Sequence, residues 1–282
     1  MKRQLFIILG VALAMCSAQA QEITACGVKH ATVKMLHWDA SWQYADYAVM
    51  TNDSVKLYTS GAACRKGKVV CVNAGHGSPR AKTYKVLCHP DSTPKCVSGS
   101  TMAGSIHAIA VSSGMAFPGD VGEGFITLKV AEKLRDLLLN DGYDVLMTRE
   151  NNDCFLDNIA RTVFANNNAD IHIAIHFDGS TNDKGAFYVG VPNIKSYRKM
   201  EPVATMWREH ERLGKAVNAG MKAAKVKIWK KGNMPTDLTQ TSFSTIPSID
   251  YECGDKGSEI SAASLARLAQ GFLNGINRYF SK

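Results

Sequence analysis

Ala169-Asp-Ile-His-Ile-Ala-Ile-His176 sets isoleucine at every second position of a short run and closes it on a histidine. Apolar, β-branched residues with a period of two read as a β-strand, predicted over Asp170 to Ile175. His172 and His176 are four residues apart on it and share one face, so either is a candidate metal ligand. His176 is preferred because it stands at the strand's end, whereas His172 is expected to be buried or to lie behind it.

Comparable runs occur at Val69 to Asn73, Tyr143 to Thr148, Ala186 to Val191 and Ser248 to Glu252. Between them, amphipathic stretches predict helices around Phe125 to Asn140, Leu156 to Asn167 and Val203 to Lys225, with a last one near Glu259 to Phe280. In the last, Leu265, Leu268, Phe272, Ile276 and Phe280 recur at three- and four-residue intervals, the spacing that buries one face of a helix. Strands alternating with helices from Lys68 onward predict an α/β fold, a largely parallel twisted sheet flanked by helices. The expected organisation is a single catalytic domain over 68–282, preceded by an N-terminal extension over 21–67.

Open α/β sheets carry their sites at the carboxyl ends of strands, and three residues of suitable chemistry stand there. His76 follows the first strand within Asn73-Ala-Gly-His-Gly77, where flanking glycines let the backbone approach a metal closely. His176 is the second. Glu252 closes Ser248-Ile-Asp-Tyr-Glu252, and a carboxylate in an apolar strand needs compensation for its burial. A fourth candidate, Glu123, opens a helix, where its carboxylate can reach the same rim. Standing three residues after Asp120, it fits a capping box equally well. Intervals of 47, 53 and 76 residues separate His76, Glu123, His176 and Glu252 in turn, so no local metal motif connects them.

The chain begins with Lys2 and Arg3, an apolar run from Leu5 to Met15 and the small-residue pattern Ala18-Gln-Ala20, which reads as a secretory signal peptide over 1–20. Cys16 raises a lipid anchor as an alternative, but Met15 occupies the position where a lipoprotein signal carries a small residue. The apolar run is too short to span a bilayer, and no later stretch reaches the roughly 20 apolar residues of a membrane helix. A periplasmic or secreted protein is therefore expected. Cleavage removes Lys2 and Arg3 and no acid, which lowers the formal charge from +8 to +6. That balance suits an anionic partner such as the cell-wall polymer, and nucleic acid is an improbable target after export. Seven cysteines remain, and Cys88 and Cys96, which bracket a Pro-containing loop, are the expected disulfide in an oxidising compartment. Cys71, within an apolar run, is expected to be a small buried residue. Within 21–67, Trp38, Trp42, Tyr44 and Tyr47 suit either sugar stacking or anchoring the extension to the domain, and anchoring is the preferred reading.

Five pieces, Val72-Asn-Ala-Gly-His-Gly77, Gly142-Tyr-Asp-Val-Leu-Met-Thr-Arg149, Arg161 with Ala165-Asn166, Ala169 to His176, and Ile246-Pro-Ser-Ile-Asp-Tyr-Glu252, occur in one order over Lys68 to Phe280. Together they resemble the zinc-dependent N-acetylmuramoyl-L-alanine amidases of the amidase-3 family, which are peptidoglycan hydrolases. The resemblance implies zinc held by His76, Glu123 and His176, with Glu252 as the catalytic carboxylate. Two imidazoles and one carboxylate leave a fourth tetrahedral position open, the arrangement of a catalytic site. The bond implied is the amide between the lactyl group of N-acetylmuramic acid and L-alanine, cut by a monomer with peptidoglycan as its partner; whether a protein activator is needed stays open.

The chain departs from the family pattern in two places. Asn73-Ala74 stands where Asp-Pro is common, and the interval from His76 to Glu123 is long, which leaves Asp120 and Glu132 as replacements for Glu123. The additional segment, about 78–118, contains Cys88, His89, Cys96 and His107 and is read as a loop that shapes or covers the substrate groove, or as a plain surface insertion. Two other functions remain compatible with these residues: a non-catalytic wall-binding or regulatory protein, and a zinc peptidase acting on the peptide stem.

Overall fold

The computed structural model describes residues 31–281; the signal-peptide stretch, Cys16 and Cys26 lie outside them. In chain order the strands and helices are β1 (Thr32–His37), β2 (Ser54–Thr59), β3 (Val69–Ala74), β4 (Lys85–Leu87), β5 (His107–Ile109), β6 (Ala116–Phe117), β7 (Val121–Gly122), α1 (Glu123–Asn140), β8 (Asp144–Met147), α2 (Asn158–Asn168), β9 (Ile171–Asp178), β10 (Ala186–Gly190), α3 (Val203–Ala223), β11 (Ile228–Pro235), α4 (Thr239–Phe243), β12 (Ser248–Asp255) and α5 (Ala262–Phe280).

Eight strands form one sheet in the order β1-β2-β8-β3-β9-β12-β10-β11. Its centre, β8-β3-β9-β12, is parallel, as the alternation of strands and helices predicts. The flanks are not. β2 joins β8 and β1 joins β2 antiparallel, while β10 runs antiparallel to β12 and β11 parallel to β10. The sheet is therefore mixed, and residues 31–67 contribute two of its strands. Their aromatics pack inward: the Trp38 and Trp42 rings meet Phe164 of α2 edge-on at 5.3 and 5.5 Å, and Tyr44 and Tyr47 lie 5.3 and 5.7 Å from Phe243 of α4. The anchoring reading of that cluster holds.

Side-chain alternation assigns the two faces. Val70, Val72, Ile171, Ile173, Ile175, Ile249 and Tyr251 point into a core closed by α1, α3 and α5. The other face carries Cys71 and Leu146 against α2, and on it His172, His176, Asp250 and Glu252 occupy the alternate positions of β9 and β12. After β3 the chain passes to β8 on one side and then to β9 on the other. The connection order thus reverses at β3, the kind of crevice in which open α/β sheets bind ligands.

The expected disulfide is absent: Cys88 and Cys96 are both free. A buried polar cluster organises the loop between them. Asp237, from the stretch joining β11 to α4, accepts from His89 Nε2 (2.9 Å), the Val97 amide (2.9 Å), the Cys96 amide and Lys95 Nζ (3.3 Å). Burial alone would raise the Asp237 carboxyl, but these donors outweigh it and hold the group at about 2. No helix among the described residues is long and apolar enough to cross a membrane.

Candidate active site

His76 is held in a left-handed conformation (φ 61°) that few non-glycine residues adopt. Two buried arginines maintain it. Arg149 donates to the carbonyls of Ala74, Gly75 and Gly124, and Arg161 donates to those of Ala74 and His76 and to Ser78 Oγ. Five N–H donors in a rigid fork suit such a task, because each buried carbonyl left unpaired costs about 1–3 kcal/mol. Asn73 accepts from Thr148 Oγ1 (3.0 Å) and Arg161 Nη1 (3.1 Å), so it serves this scaffold. The turn also requires Gly75, since a Cβ there would lie 2.3 Å from the His176 ring.

Glu123 begins α1, whose N-cap is Gly122 without a side-chain cap, so the capping-box alternative does not hold. The Glu123 carboxylate turns back over the sheet edge instead. Phe177 N donates to its Oε1 (2.8 Å) and Met115 N to its Oε2 (2.9 Å). Asp120 is exposed and Glu132 pairs with Lys129, so neither replaces it.

These elements bring His76, Glu123 and His176 together as one group of candidate ligand atoms. His76 Nε2 lies 2.9 Å from Glu123 Oε1 and 3.0 Å from His176 Nδ1, and His176 Nδ1 lies 3.2 Å from Glu123 Oε1. A tetrahedral zinc with ligands at about 2.0–2.1 Å would separate them by about 3.3 Å, so the triangle fits that ion closely. Its chemistry fits as well. His76 Nδ1 faces the Ser112 carbonyl at 2.8 Å, which leaves its Nε2 turned toward the Glu123 carboxylate, and His176 Nε2 lies 3.6 Å from Asp250 Oδ2 with Nδ1 turned inward. Two imidazoles and one carboxylate converging in this way form a group able to hold a metal ion.

Electrostatics point the same way. Burial opposes charge on His176, but Asp250, Glu123 and Glu252 outweigh it and raise the imidazole to about 9. Burial would likewise raise Glu123, yet the two imidazoles hold its carboxyl well below the usual range. Glu252 is the Cα partner of His176 across β12 and β9, and the register shifts just beyond it, so β12 continues to Asp255 where the sequence reading ended it. Burial, and then the Asp250 charge, push the Glu252 carboxyl well above its ordinary value, and its Oε2 is buried without a partner. A carboxyl group raised in this way holds a proton more readily than an exposed one, which suits a group that takes and returns a proton. His172 is fully buried beneath α2 and faces Ser248 Oγ at 3.3 Å, away from the triangle.

The triangle opens into a groove of about 440 Å³. Segment 78–118 forms one wall, with Thr101 and Ile109, and the end of β11 with the stretch after it forms the other, with Met234 and Thr236. Of the two readings of that segment, shaping the groove holds, and the segment reaches the candidate ligands too: Ser112 meets His76 and Met115 meets Glu123. No helix follows His176 before β10. Sequence reasoning missed Asp250, Ser112 and Asp237; only Asp250 left a signal, as a second acid two positions before Glu252 in an apolar strand.

Two imidazoles and two carboxylates gathered at the carboxyl edge of an open α/β sheet, lining one groove, are the equipment of a hydrolase. Residues 70–256 match the family model described as N-acetylmuramoyl-L-alanine amidase. The chain belongs to that family and hydrolyses amide bonds of bacterial peptidoglycan. Among solved structures it is similar to the amidase Ami1 of Mycobacterium smegmatis (TM-score 0.60, 18% identity, covering 77% of this chain and 98% of that one). It is also similar to AmiC2 of Nostoc punctiforme (0.55, 16%, 78% and 100%) and to CwlD of Clostridioides difficile, solved with the GerS lipoprotein (0.54, 20%, 76% and 99%). At these identities the likeness is one of fold. No curated protein matches the sequence.

Proposed function

We propose that this amidase holds zinc through His76, Glu123 and His176, uses Glu252 as its general base and acid, and cuts the amide between the lactyl group of N-acetylmuramic acid and L-alanine. It acts outside the cytoplasm, to which residues 1–20 direct it as a signal peptide, and the catalytic unit comprises residues 68–282. The observation that carries the reading is the triangle of His76 Nε2, Glu123 Oε1 and His176 Nδ1, with sides of 2.9–3.2 Å, beside the partnerless carboxylate of Glu252.

Bound zinc supplies a Lewis acid that polarises the scissile carbonyl and makes water a stronger acid. The chain's own residues do the rest. The groove lays the glycan and its peptide stem across the sheet edge and brings the carbonyl to the triangle. Glu252 accepts a proton as the water oxygen bonds to the carbonyl carbon, then delivers it to the nitrogen as the C–N bond breaks. The products are a free lactyl carboxylate and an L-alanine amino terminus. Arg149 and Arg161 keep His76 on target throughout, and the Met115 and Phe177 amides keep Glu123 turned inward.

Glu252→Gln tests this assignment, because it keeps the side-chain shape and removes the base. The variant should retain about one zinc per chain while hydrolysis of purified peptidoglycan falls about 10²–10⁴-fold. Hydrolysis at the unmodified rate would remove Glu252 from the mechanism.

A further inference from the structure

We propose that Asp250 is the positioning residue of His176, an outer carboxylate that fixes the imidazole so that Nδ1 faces the metal position; this rests on the zinc reading above. β12 turns Ile249, Tyr251 and Cys253 into the core and Asp250 and Glu252 to the groove face. One strand therefore delivers both the base and, two residues earlier, a second acid.

The His176 ring has two directions to satisfy. Its Nδ1 lies 3.0 Å from His76 Nε2 and 3.2 Å from Glu123 Oε1, which leaves Nε2 pointing away from the triangle. Asp250 Oδ2, at 3.6 Å, is the acceptor this structure offers to Nε2 among the described residues. The separation exceeds a hydrogen bond, and such contacts commonly tighten when a site is loaded. His76 is oriented differently, by the Ser112 carbonyl at 2.8 Å. The orientation of His176 thus hangs on a removable side chain, whereas that of His76 is fixed by backbone.

Burial cost sharpens the point. Asp250 Oδ1 is buried and has no partner, and a carboxylate in that condition is expensive in an apolar strand. A leucine, with the same branching at Cγ, would avoid the cost, and replacing buried charge with apolar groups is often neutral or stabilising. An acid at this position gains its compensation from the imidazole and, through the ring, from the cation beyond it. Carboxylate–histidine pairs of this kind change metal affinity about 10- to 100-fold.

Zinc dissociation constants, measured by competition with a chromogenic chelator, should be compared for the unmodified protein, Asp250→Asn and Asp250→Leu, beside the melting temperature of each metal-free form. The asparagine oxygen still accepts from Nε2–H and leucine cannot. Zinc affinity should therefore fall least in Asp250→Asn and 10- to 100-fold in Asp250→Leu, while metal-free Asp250→Leu melts no lower than the unmodified protein. Cobalt(II) bound in place of zinc should show shifted visible bands in the leucine variant. Affinities within twofold across the series would overturn the positioning role. Failure of the unmodified protein to take up zinc is a separate result, which overturns the zinc reading and this inference with it.

Discussion

Gly75→Ala isolates the geometry of the triangle from everything else. Gly75 does not have a left-handed φ, so alanine is free to adopt its backbone conformation, and the whole effect comes from one added methyl group. That Cβ would stand 2.3 Å from His176 Cε1 and 2.6 Å from both ring nitrogens. Ordinary contact begins at about 3.4 Å, so the ring must retreat by about 1 Å. Its Nδ1 would then leave positions 3.0 and 3.2 Å from His76 and Glu123. A displacement of that size in a catalytic group costs about 10²-fold in rate, equivalent to about 2.7 kcal/mol of transition-state stabilisation. Release of soluble fragments from dye-labelled peptidoglycan, with circular-dichroism melting in parallel, measures rate and fold separately. Gly122→Ala is the control: it adjoins Glu123 but a Cβ there meets nothing within 4 Å. The expected result is a folded Gly75→Ala protein slowed about 100-fold beside a nearly unaffected control. A Gly75→Ala rate within threefold of the unmodified protein would refute the placement of His176.

Arg161→Lys replaces a fork that serves Leu156, Ala74, His76 and Ser78 with a single ammonium, so at least two buried acceptors lose their donors. Denaturant titration should show a loss of about 2–4 kcal/mol, and unchanged stability would show that the carbonyls find other partners. The Asp237 carboxyl, held at about 2 against an ordinary 3.8, stabilises the folded state fully above the ordinary value and loses that effect as pH falls through the folded one. Unfolding free energy should decline by about 2 kcal/mol between pH 5 and pH 2 through this group, and Asp237→Asn should flatten the decline; an identical pH profile in the variant would contradict the cluster. Trp42→Ala should lower stability by about 2–3 kcal/mol and leave KM for peptidoglycan unchanged, because its ring packs on Trp38 and Phe164. A raised KM at unchanged stability would instead mark a sugar platform.

Much of the fold is legible because its central strands and long helices carry strong periods. Val69–Ala74, Ile171–Asp178 and α5 fall where the patterns put them. The edge strands escape such reading. β1 has Val33 and Met35 exposed, and β11 mixes Lys230, Lys231 and Gly232 with apolar residues, so neither shows one buried face. Pairing with a neighbour, which is a tertiary effect, decides them. The same holds for the site. His76, His176 and Glu252 stand out by their places near strand ends, whereas in sequence Glu123 suits a ligand and a helix cap equally, and only its carboxylate accepting from Met115 and Phe177 separates the two. Cys88 and Cys96 suggested a disulfide because their spacing is visible in sequence, while the distant Asp237 that organises their loop is not.

The bond that is cut is the most direct test. Peptidoglycan digested with zinc-loaded protein, then with chelated protein, should be resolved by mass spectrometry with labelling of new amino termini. The account predicts glycan strands with free lactyl carboxyls and peptides beginning at L-alanine, lost on chelation and restored by zinc. New amino termini within the peptide stem, or undiminished cleavage without metal, would contradict it.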